Sequence, residues 1–484
     1  MQPIYDVLVI GAGITGGCVL HELSKYQLNI AVIDKENDAA EGTTKANSAI
    51  IHAGYDPIPG SKMAFHNVRG NRMIKELCDR FHVHYKECGS LVIATDDDEA
   101  KIVQTLYDRG IKNGVPDLKI LNAKETLALE PNLNPEIRCS LSAPTGGIIN
   151  PWELCIALVE NAVANGSDHY FGQEVVSIVP EKDFYTVSAK DGLVLRARYL
   201  VNAAGIYSDQ IHAMAAPADF SIVPAKGEYY LLDKSQGDIV NRVVFQCPTK
   251  AGKGVLVAPT VHGNLIVGPD RTDGCGREDL STEEKNLRDI RKTSEKTCKK
   301  IDFRQSIRNF AGLRAISEQD DFIIREIPGL PGFIELAGIQ SPGLTSAPSV
   351  ALEALELLKN AGLTLKAKAE LIPPRPVVRV KELPPEEQKV KIEENPLYGR
   401  VICRCETITE GEIVDALKSP IIPPTVDAIK RRTNAGMGRC QGGFCSPRVL
   451  EIIAREKSIN PPEVLKDKEG SYILLPHNGG RDEK

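Results

Sequence analysis

The sequence predicts an α/β protein with a second, small domain at its C-terminal end, and three observations carry that expectation. A β-rich run from Ile4 to Ile10 enters a glycine turn and then a helical pattern. Apolar strands then alternate with helical stretches over most of the chain, without tandem repeats. A stretch rich in proline and charge finally gives way to a short unit bearing four closely spaced cysteines.

Each element follows in order. Ile4 to Ile10 reads as strand, Gly11 to Gly16 as turn, Ile14 to Lys25 as helix and Asn29 to Asp34 as strand, which makes one βαβ unit. Helical spacing recurs at Pro151 to Asn165 and at Ser349 to Asn360. The body is expected to span 1–371. Residues 372–397, with Pro373, Pro374, Pro376, Pro384, Pro385 and Pro396 among alternating charges, read as an extended, semi-rigid linker. Residues 398–456 form the cysteine-bearing unit, and 457–484 a polar tail.

Length and charge narrow the classes. A chain of 484 residues with 42% hydrophobic content exceeds one compact core and can fill two or three. Its 59 basic and 65 acidic side chains sum to −6 with no domain-sized basic block, so nucleic acid is not an expected partner. The N-terminus opens directly on a strand pattern, without the regions of a signal peptide, and no apolar run reaches the roughly 18 residues of a membrane span. A cytoplasmic protein without a transmembrane segment is therefore expected. In a reducing compartment, twelve cysteines point to metal binding or burial before disulfides.

The motif Gly11-Ala-Gly13-Ile14-Thr15-Gly16 follows a strand and opens a helix. Its glycines suit a tight turn, close approach to a pyrophosphate and helix–sheet contact, and Asp34 ends the next strand where a carboxylate can accept from ribose hydroxyls, with Lys35 beside it. A purely structural tight turn is the alternative. Directly after comes a loop of small and polar residues, Glu41-Gly-Thr43-Thr44-Lys-Ala-Asn47-Ser48-Ala-Ile-Ile-His52-Ala-Gly54.

This loop resembles the one that runs past pyrophosphate and isoalloxazine in the D-amino-acid oxidase superfamily. Gln173-Glu174-Val175, Val201-Asn-Ala-Ala204-Gly205 and Gly338-Ile-Gln-Ser-Pro-Gly343-Leu344 match the same superfamily in order, so that the resemblance covers residues 1 to about 365. It implies FAD as cofactor, with Val175 meeting the adenine through its backbone and the turn from Gly338 to Leu344 at the flavin pyrimidine edge. The fold it implies is a Rossmann-like FAD domain with an interleaved mixed-sheet substrate domain, followed by the small C-terminal domain. There is no second GxGxxG after a strand, so no separate NAD domain is expected and electrons must leave the flavin another way.

Cys403-Arg-Cys405 and Cys440-Gln-Gly-Gly-Phe-Cys445 supply four soft ligands in two close pairs, suited to an iron–sulfur cluster or to zinc, with unliganded thiols as a third possibility. The C-x-C and C-x4-C spacings resemble the bacterioferritin-associated-ferredoxin-like [2Fe-2S] domain. Cys403-Arg-Cys-Glu-Thr and Lys430-Arg-Arg-Thr-Asn-Ala-Gly-Met-Gly-Arg-Cys-Gln-Gly-Gly-Phe-Cys445 resemble the C-terminal domain of anaerobic glycerol-3-phosphate dehydrogenase large subunits. The glycines at 436, 438, 442 and 443 would let amides approach the sulfurs, and Arg439 would offset cluster charge. For Lys430 to Arg432 a solvated face is an equal alternative. Cysteines 18, 78, 88, 139, 155, 247, 275 and 298 show no paired spacing and read as buried or free thiols.

Dehydrogenation of an alcohol on a flavin needs a base and cations for an anionic substrate. His52 precedes Ala-Gly-Tyr55, a segment similar to the Ile-His-Ser/Ala-Gly of L-2-hydroxyglutarate dehydrogenases, which implies base or substrate contact; a flavin-packing histidine is the alternative. Arg314, in Ala311-Gly-Leu-Arg-Ala315, matches the family position where an arginine meets the substrate anion. Lys226, in Lys226-Gly-Glu-Tyr-Tyr230, matches a substrate-domain strand, and Arg271, in Gly268-Pro-Asp-Arg-Thr272, follows another strand expected to face the flavin.

The two precedents diverge on substrate. Asn47 to Val92 looks more like L-2-hydroxyglutarate enzymes, whereas the setting of Arg314 and the C-terminal domain look more like anaerobic glycerol-3-phosphate dehydrogenase. The resemblance implies oxidation of sn-glycerol 3-phosphate to dihydroxyacetone phosphate, with a 2-hydroxy acid or an amine as alternatives. It also implies electron transfer through the cluster to a protein subunit, a second flavoprotein or a membrane-associated subunit that would bring the chain to the membrane periphery. A non-catalytic electron-transfer flavoprotein subunit, and a zinc-stabilised interaction module, are the competing classes.

Overall fold

A computed structural model describes residues 4–248 and 254–475. The last nine residues of the expected tail lie outside it. Two compact units emerge, one of Met1–Lys35 with Ala39–Arg375, the other of Glu36–Asp38 with Pro376–Lys484.

The first unit holds two large sheets between which the chain passes repeatedly. In one, Ile4–Ile10 lies between Val194–Asn202 and Ile30–Ile33, parallel to both, and Phe333–Ala337 joins parallel to Val194–Asn202. Parallel strands need both faces covered, and these strands are accordingly near-continuous apolar runs. The helix Ile14–Leu23 is buried along nearly its whole length.

In the second sheet the long strands Ile222–Leu232 and Ser306–Ser317 pair antiparallel along their full length. This sheet is buried on both sides by alternation: Leu91 and Ile93 enter one core with Val244 and Val257, while Val92 and Ala94 enter another with Tyr229 and Phe245. The helix Lys62–Phe81 starts at Ser61, whose side chain accepts from the Ala64 amide, and ends at His82 in the left-handed region.

Two expectations change. The helix expected from Ser349 runs Gly343–Asn360 instead, with Pro348 inside it. The expected extended linker contains a helix, Pro385–Glu394, because proline at the first helical position and Glu386 and Glu387 in the first turn favour initiation. Residues before it are tied down: Asn165 Oδ1 accepts from the Ile372 amide at 2.8 Å, and Arg375 pairs with Glu160.

The second unit contains the strand pair Val401–Cys403 and Ile408–Thr409 and the helices Glu410–Ala416, Val426–Thr433 and Ser446–Lys457. Cys403 and Cys445 sit in its apolar core with Ile413, Ile429, Val449 and Ile453. The described part of the tail packs, since Leu465 bridges to both Thr425 and Tyr472.

Candidate active site and cluster site

The glycine motif builds the first wall. Gly11 takes φ +107°, and a Cβ there would lie 2.4 Å from the Ala203 carbonyl oxygen; a Cβ on Gly16 would lie 1.9 Å from the Gly11 oxygen. Glycine is required at both places. Beside a Gly13 Cβ, by contrast, only Thr44 Oγ1 would stand within 4 Å among the described residues, so space remains in front of the helix. The cap residue of that helix, Gly13, supplies no side-chain acceptor of its own, and the positive helix end suits a pyrophosphate. Asp34 Oδ2 accepts from the Ala12 amide at 2.6 Å and Thr44 Oγ1 from the Ile14 amide at 3.0 Å.

The following loop is held in shape by its own side chains. Asn47 donates to the carbonyls of Thr43 and Thr44 and accepts from the Ala49 amide at 2.7 Å. Thr43 Oγ1 donates to the Leu313 carbonyl at 2.7 Å, and Ser48 Oγ lies 3.2 Å from the Tyr229 hydroxyl. A Cβ on Gly312 would stand 1.8 Å from the Ala46 oxygen, so the loop lies directly on the strand that carries Arg314.

The other matched segments converge on the same first sheet. Gln173 donates its amide to the Asp34 carbonyl at 2.9 Å, and Val175 opens the next strand opposite Ala189. The Ala203 amide bonds the Ile10 carbonyl, the Ala204 amide reaches Asn202 Oδ1 at 3.2 Å, and Gly205 takes φ +57°. Gly338 takes φ +63°, and Gly343 and Leu344 begin the helix that passes His52. Lys35 differs: its ammonium is engaged by Glu278 at 2.9 Å and by the Tyr207 ring. Burial works against its charge, but those partners hold its pKa above the usual lysine value.

His52 is clamped at its backbone, and its ring is held by its neighbours. Its amide donates to Thr345 Oγ1 at 2.9 Å, and its carbonyl accepts from Asn67 at 2.8 Å and Asn71 at 3.1 Å. The ring stacks on Phe245, and Nε2 lies 3.2 Å from Ser341 Oγ. Thr345, Asn67 and Asn71 carry no signal in the sequence, because Thr345 is 293 residues from His52 in the chain and Asn67 and Asn71 reach it only through the packing of the next helix.

Arg314 stands opposite Ala225 on the paired strands, and its Nη2 comes within 2.7 Å of where a Gly227 Cβ would be, beside Pro269. Its guanidinium makes no hydrogen bond or ion pair among the described residues, and Asp270 is the carboxylate whose charge it feels. Residues 310, 312 and 314 alternate onto one face, the face that meets Ala46 and Ser48 through Gly312 and Tyr229.

Lys226 and Arg271 do not join this group. Lys226 pairs with Leu313, hence projects from the opposite face. There its ammonium is fully buried, donating to Asp279 at 2.8 Å and Glu283 at 3.4 Å with Glu228 at 3.9 Å. Burial opposes its charge, yet Asp279 and Glu283 raise its pKa. Arg271 is exposed and paired with Asp273 at 2.7 Å. The structure thus engages both cations elsewhere: the Lys226 ammonium by carboxylates behind the sheet, the Arg271 guanidinium by its near neighbour.

In the second unit the thiols form two pairs. Cys405 Sγ and Cys440 Sγ are 3.7 Å apart, and Cys403 hydrogen-bonds Cys445. That bond, with backbone amides of Gly436 and Glu406, lowers the Cys403 thiol to about 6 against its burial. Amides of Phe444 and Gly442 likewise lower Cys440. Two pairs of thiols ringed by amide donors match a two-iron cluster, in which four cysteines divide between the irons. Among the described residues no three His, Cys, Asp or Glu side chains gather for one ion. The basic run is no solvated face, since Arg431 and Arg432 are buried and each pairs with Asp38, which groups with this unit. The other eight cysteines are outside any disulfide, five of them buried.

Residues 6–357 match the family described as FAD dependent oxidoreductase. The chain belongs to that family. Residues 401–455 match the BFD-like [2Fe-2S] binding domain, and the cofactors of this FAD-dependent oxidoreductase are FAD and a [2Fe-2S] cluster. The chain is 49% identical over 474 residues to a glycerol 3-phosphate dehydrogenase of Caloramator mitchellensis, covering 97% of this chain and 98% of that protein. It is 28% identical over 310 residues to a mitochondrial L-2-hydroxyglutarate dehydrogenase of Nematostella vectensis, covering 60% of this chain and 68% of the relative. The dithionite-reduced L-alpha-glycerophosphate oxidase of Mycoplasma pneumoniae, solved with FAD bound, superposes with a TM-score of 0.73 at 31% identity, over 76% of this chain and 98% of that one. Among the described residues no helix is long and apolar enough to cross a membrane.

Proposed function

We propose that this oxidoreductase converts sn-glycerol 3-phosphate to dihydroxyacetone phosphate and passes the electrons through its cluster to a protein acceptor. The observation that carries the proposal is Arg314, a guanidinium without a hydrogen-bonding partner among the described residues, on the sheet face turned to the Ala46–Ser48 loop. A planar cation left open beside a flavin loop suits a phosphate, which it can hold through two parallel hydrogen bonds. The relative from Caloramator, aligned along nearly the whole chain, supports the choice of substrate.

Arg314 would anchor the phosphate and so orient the carbinol. His52 Nε2, with its backbone fixed by Thr345, Asn67 and Asn71, would take the hydroxyl proton. Ser341, 3.2 Å from Nε2, would set the ring's tautomer until substrate arrives. Asp34, Thr44, the glycine turn and the segments at Val175, Ala204 and Gly338 would hold FAD, and the four cysteines the cluster. When bound, FAD supplies a two-electron acceptor for the carbinol hydrogen and the cluster a one-electron carrier.

A second reading, a 2-hydroxy acid held at Arg314 by its carboxylate, is favoured by the L-2-hydroxyglutarate relative. Anaerobic titration of the holoenzyme with each compound separates the two. Bleaching of the flavin by sn-glycerol 3-phosphate is expected; bleaching by L-2-hydroxyglutarate alone would replace the proposal, and bleaching by neither would favour an electron-transfer subunit.

A further inference from the structure

We infer that the solvent edge of the cluster loop is the docking surface for an acidic one-electron carrier protein, with Phe444 as its centre and Arg404 at its rim. The inference rests on the reading that electrons leave through the cluster.

Phe444 is 85% exposed, more than any other large apolar side chain among the described residues. It stands inside the Cys440–Cys445 loop, immediately before the buried ligand Cys445, in a segment where every other large apolar residue is turned inward: Val449, Leu450, Ile452 and Ile453 are all in the core. Presenting an aromatic ring to water has a hydration cost that folding does not recover, and such rings are typical anchors at the centre of protein interfaces.

Positive charge accompanies it: Arg404, between Cys403 and Cys405 in the chain, is exposed. Arg448, three residues beyond the loop, is neutralised by Glu451 at 2.8 Å. The nearest carboxylate on the ligand segment, Glu406, is buried and turned toward Lys381. Cys405 is itself exposed, so the ligand with least protein above it lies at this same edge. Cluster charge alone accounts for an arginine here, but not for the phenylalanine. An apolar centre with a cationic rim, over the point where the electron has the shortest way out, fits a partner with acidic groups around its own redox centre. A single ring between ligands, not an apolar helix face, favours a protein over a lipid surface.

In the transfer step the reduced cluster loses one electron and the oxidised carrier gains one; no proton or covalent bond changes hands. The test uses holoenzyme reduced with dithionite, freed of excess and mixed anaerobically with oxidised cytochrome c in two forms: native, which is basic, and succinylated, which carries the same haem in an acidic coat. No substrate is needed, so the result does not depend on which alcohol the enzyme oxidises. The acidic form is expected to be reduced at least tenfold faster at low salt, an advantage that collapses as salt screens it. Phe444→Ala should slow the acidic form at least fivefold, and Arg404→Glu should abolish the preference, both with the cluster absorbance intact. Equal rates for the two forms, or unchanged rates in both variants, overturn the inference. So does loss of sedimentation with phosphatidylglycerol vesicles in Phe444→Ala while transfer is unaffected, which would assign the edge to a membrane. Absence of cluster absorbance in the unmutated protein would instead overturn the reading beneath it.

Discussion

Lys226 and Arg314 sit one register position apart on the same pair of strands, yet their cationic ends live in opposite surroundings. Lys226 points behind the sheet into three carboxylates, from Glu228, Asp279 and Glu283. Arg314 points to the other side, onto Gly227, whose missing side chain leaves room for the guanidinium. A resemblance at the level of strands selected both residues; the two-residue period of a strand sends their side chains to opposite faces. A charge is available for catalysis when the fold leaves it unneutralised.

The comparison is broken most directly by removing the open cation. Arg314→Ala should lower kcat/KM for sn-glycerol 3-phosphate by about 100-fold or more, on the order of 3 kcal/mol for charge-assisted hydrogen bonds to a phosphate, with most of the change in KM. Steady-state kinetics check this. An unchanged KM would mean that the anion is held elsewhere.

His52→Gln addresses the proton, not the anion, and should slow flavin reduction at least tenfold, below the ~100-fold or more often seen for general bases because the amide keeps the Ser341 contact. Anaerobic stopped-flow reduction at saturating substrate reads it. An undiminished rate would leave His52 as a packing residue against Phe245.

Lys226→Met sharpens the contrast from the other face. The substitution should leave KM nearly untouched while lowering stability by ~1–3 kcal/mol, between an exposed and a fully buried ion pair, because Asp279 and Glu283 are partly open to water and can rehydrate. Denaturant melts alongside kinetics decide the matter. A large KM effect with unchanged stability would return Lys226 to the substrate side.

What could be read from the sequence follows the same division. Gly11 and Gly16 were legible because close backbone approach demands glycine whatever the tertiary context, and the four cysteines because so many thiols in so short a unit mark a ligand set, although the pairs formed in space, Cys405 with Cys440 and Cys403 with Cys445, join the two segments and not neighbours in the chain. The direction of Lys226 was not: Lys226-Gly-Glu-Tyr-Tyr230 shows alternation but not which face is inner, which only the register with Leu313 supplies. Arg271 has its ion-pair partner two residues away in Asp273, a signal that the sequence itself carries. Thr345, Asn67 and Asn71 act through tertiary proximity to His52, for which one sequence offers no periodicity. The helix expected from Ser349 begins at Gly343, after Pro342, and carries Pro348 inside it, so its first turn lay outside the apolar spacing.

The smallest expected effect lies in acid. Asp279 is lowered from an ordinary 3.8 to about 2, first by the hydrogen bond from Lys226 and then by Ser281. A carboxyl whose folded pKa lies below its unfolded one stabilises the fold fully above the unfolded value and loses that contribution as pH falls from about 4 toward 2. Glu353 behaves alike, lowered to about 2 chiefly by its bond to His66, so the acid limb of the unmutated protein alone does not isolate the Lys226 cluster. The difference between the unmutated protein and Lys226→Met does, because Glu353 is common to both. Melting temperatures taken from pH 5 down to 3 should therefore show the gap between the two narrowing as Asp279 begins to protonate. A gap that stays constant would mean that Asp279 contributes nothing and that the buried lysine is held by Glu228 and Glu283, leaving the inner face of the sheet neutralised by a pair of carboxylates instead of three.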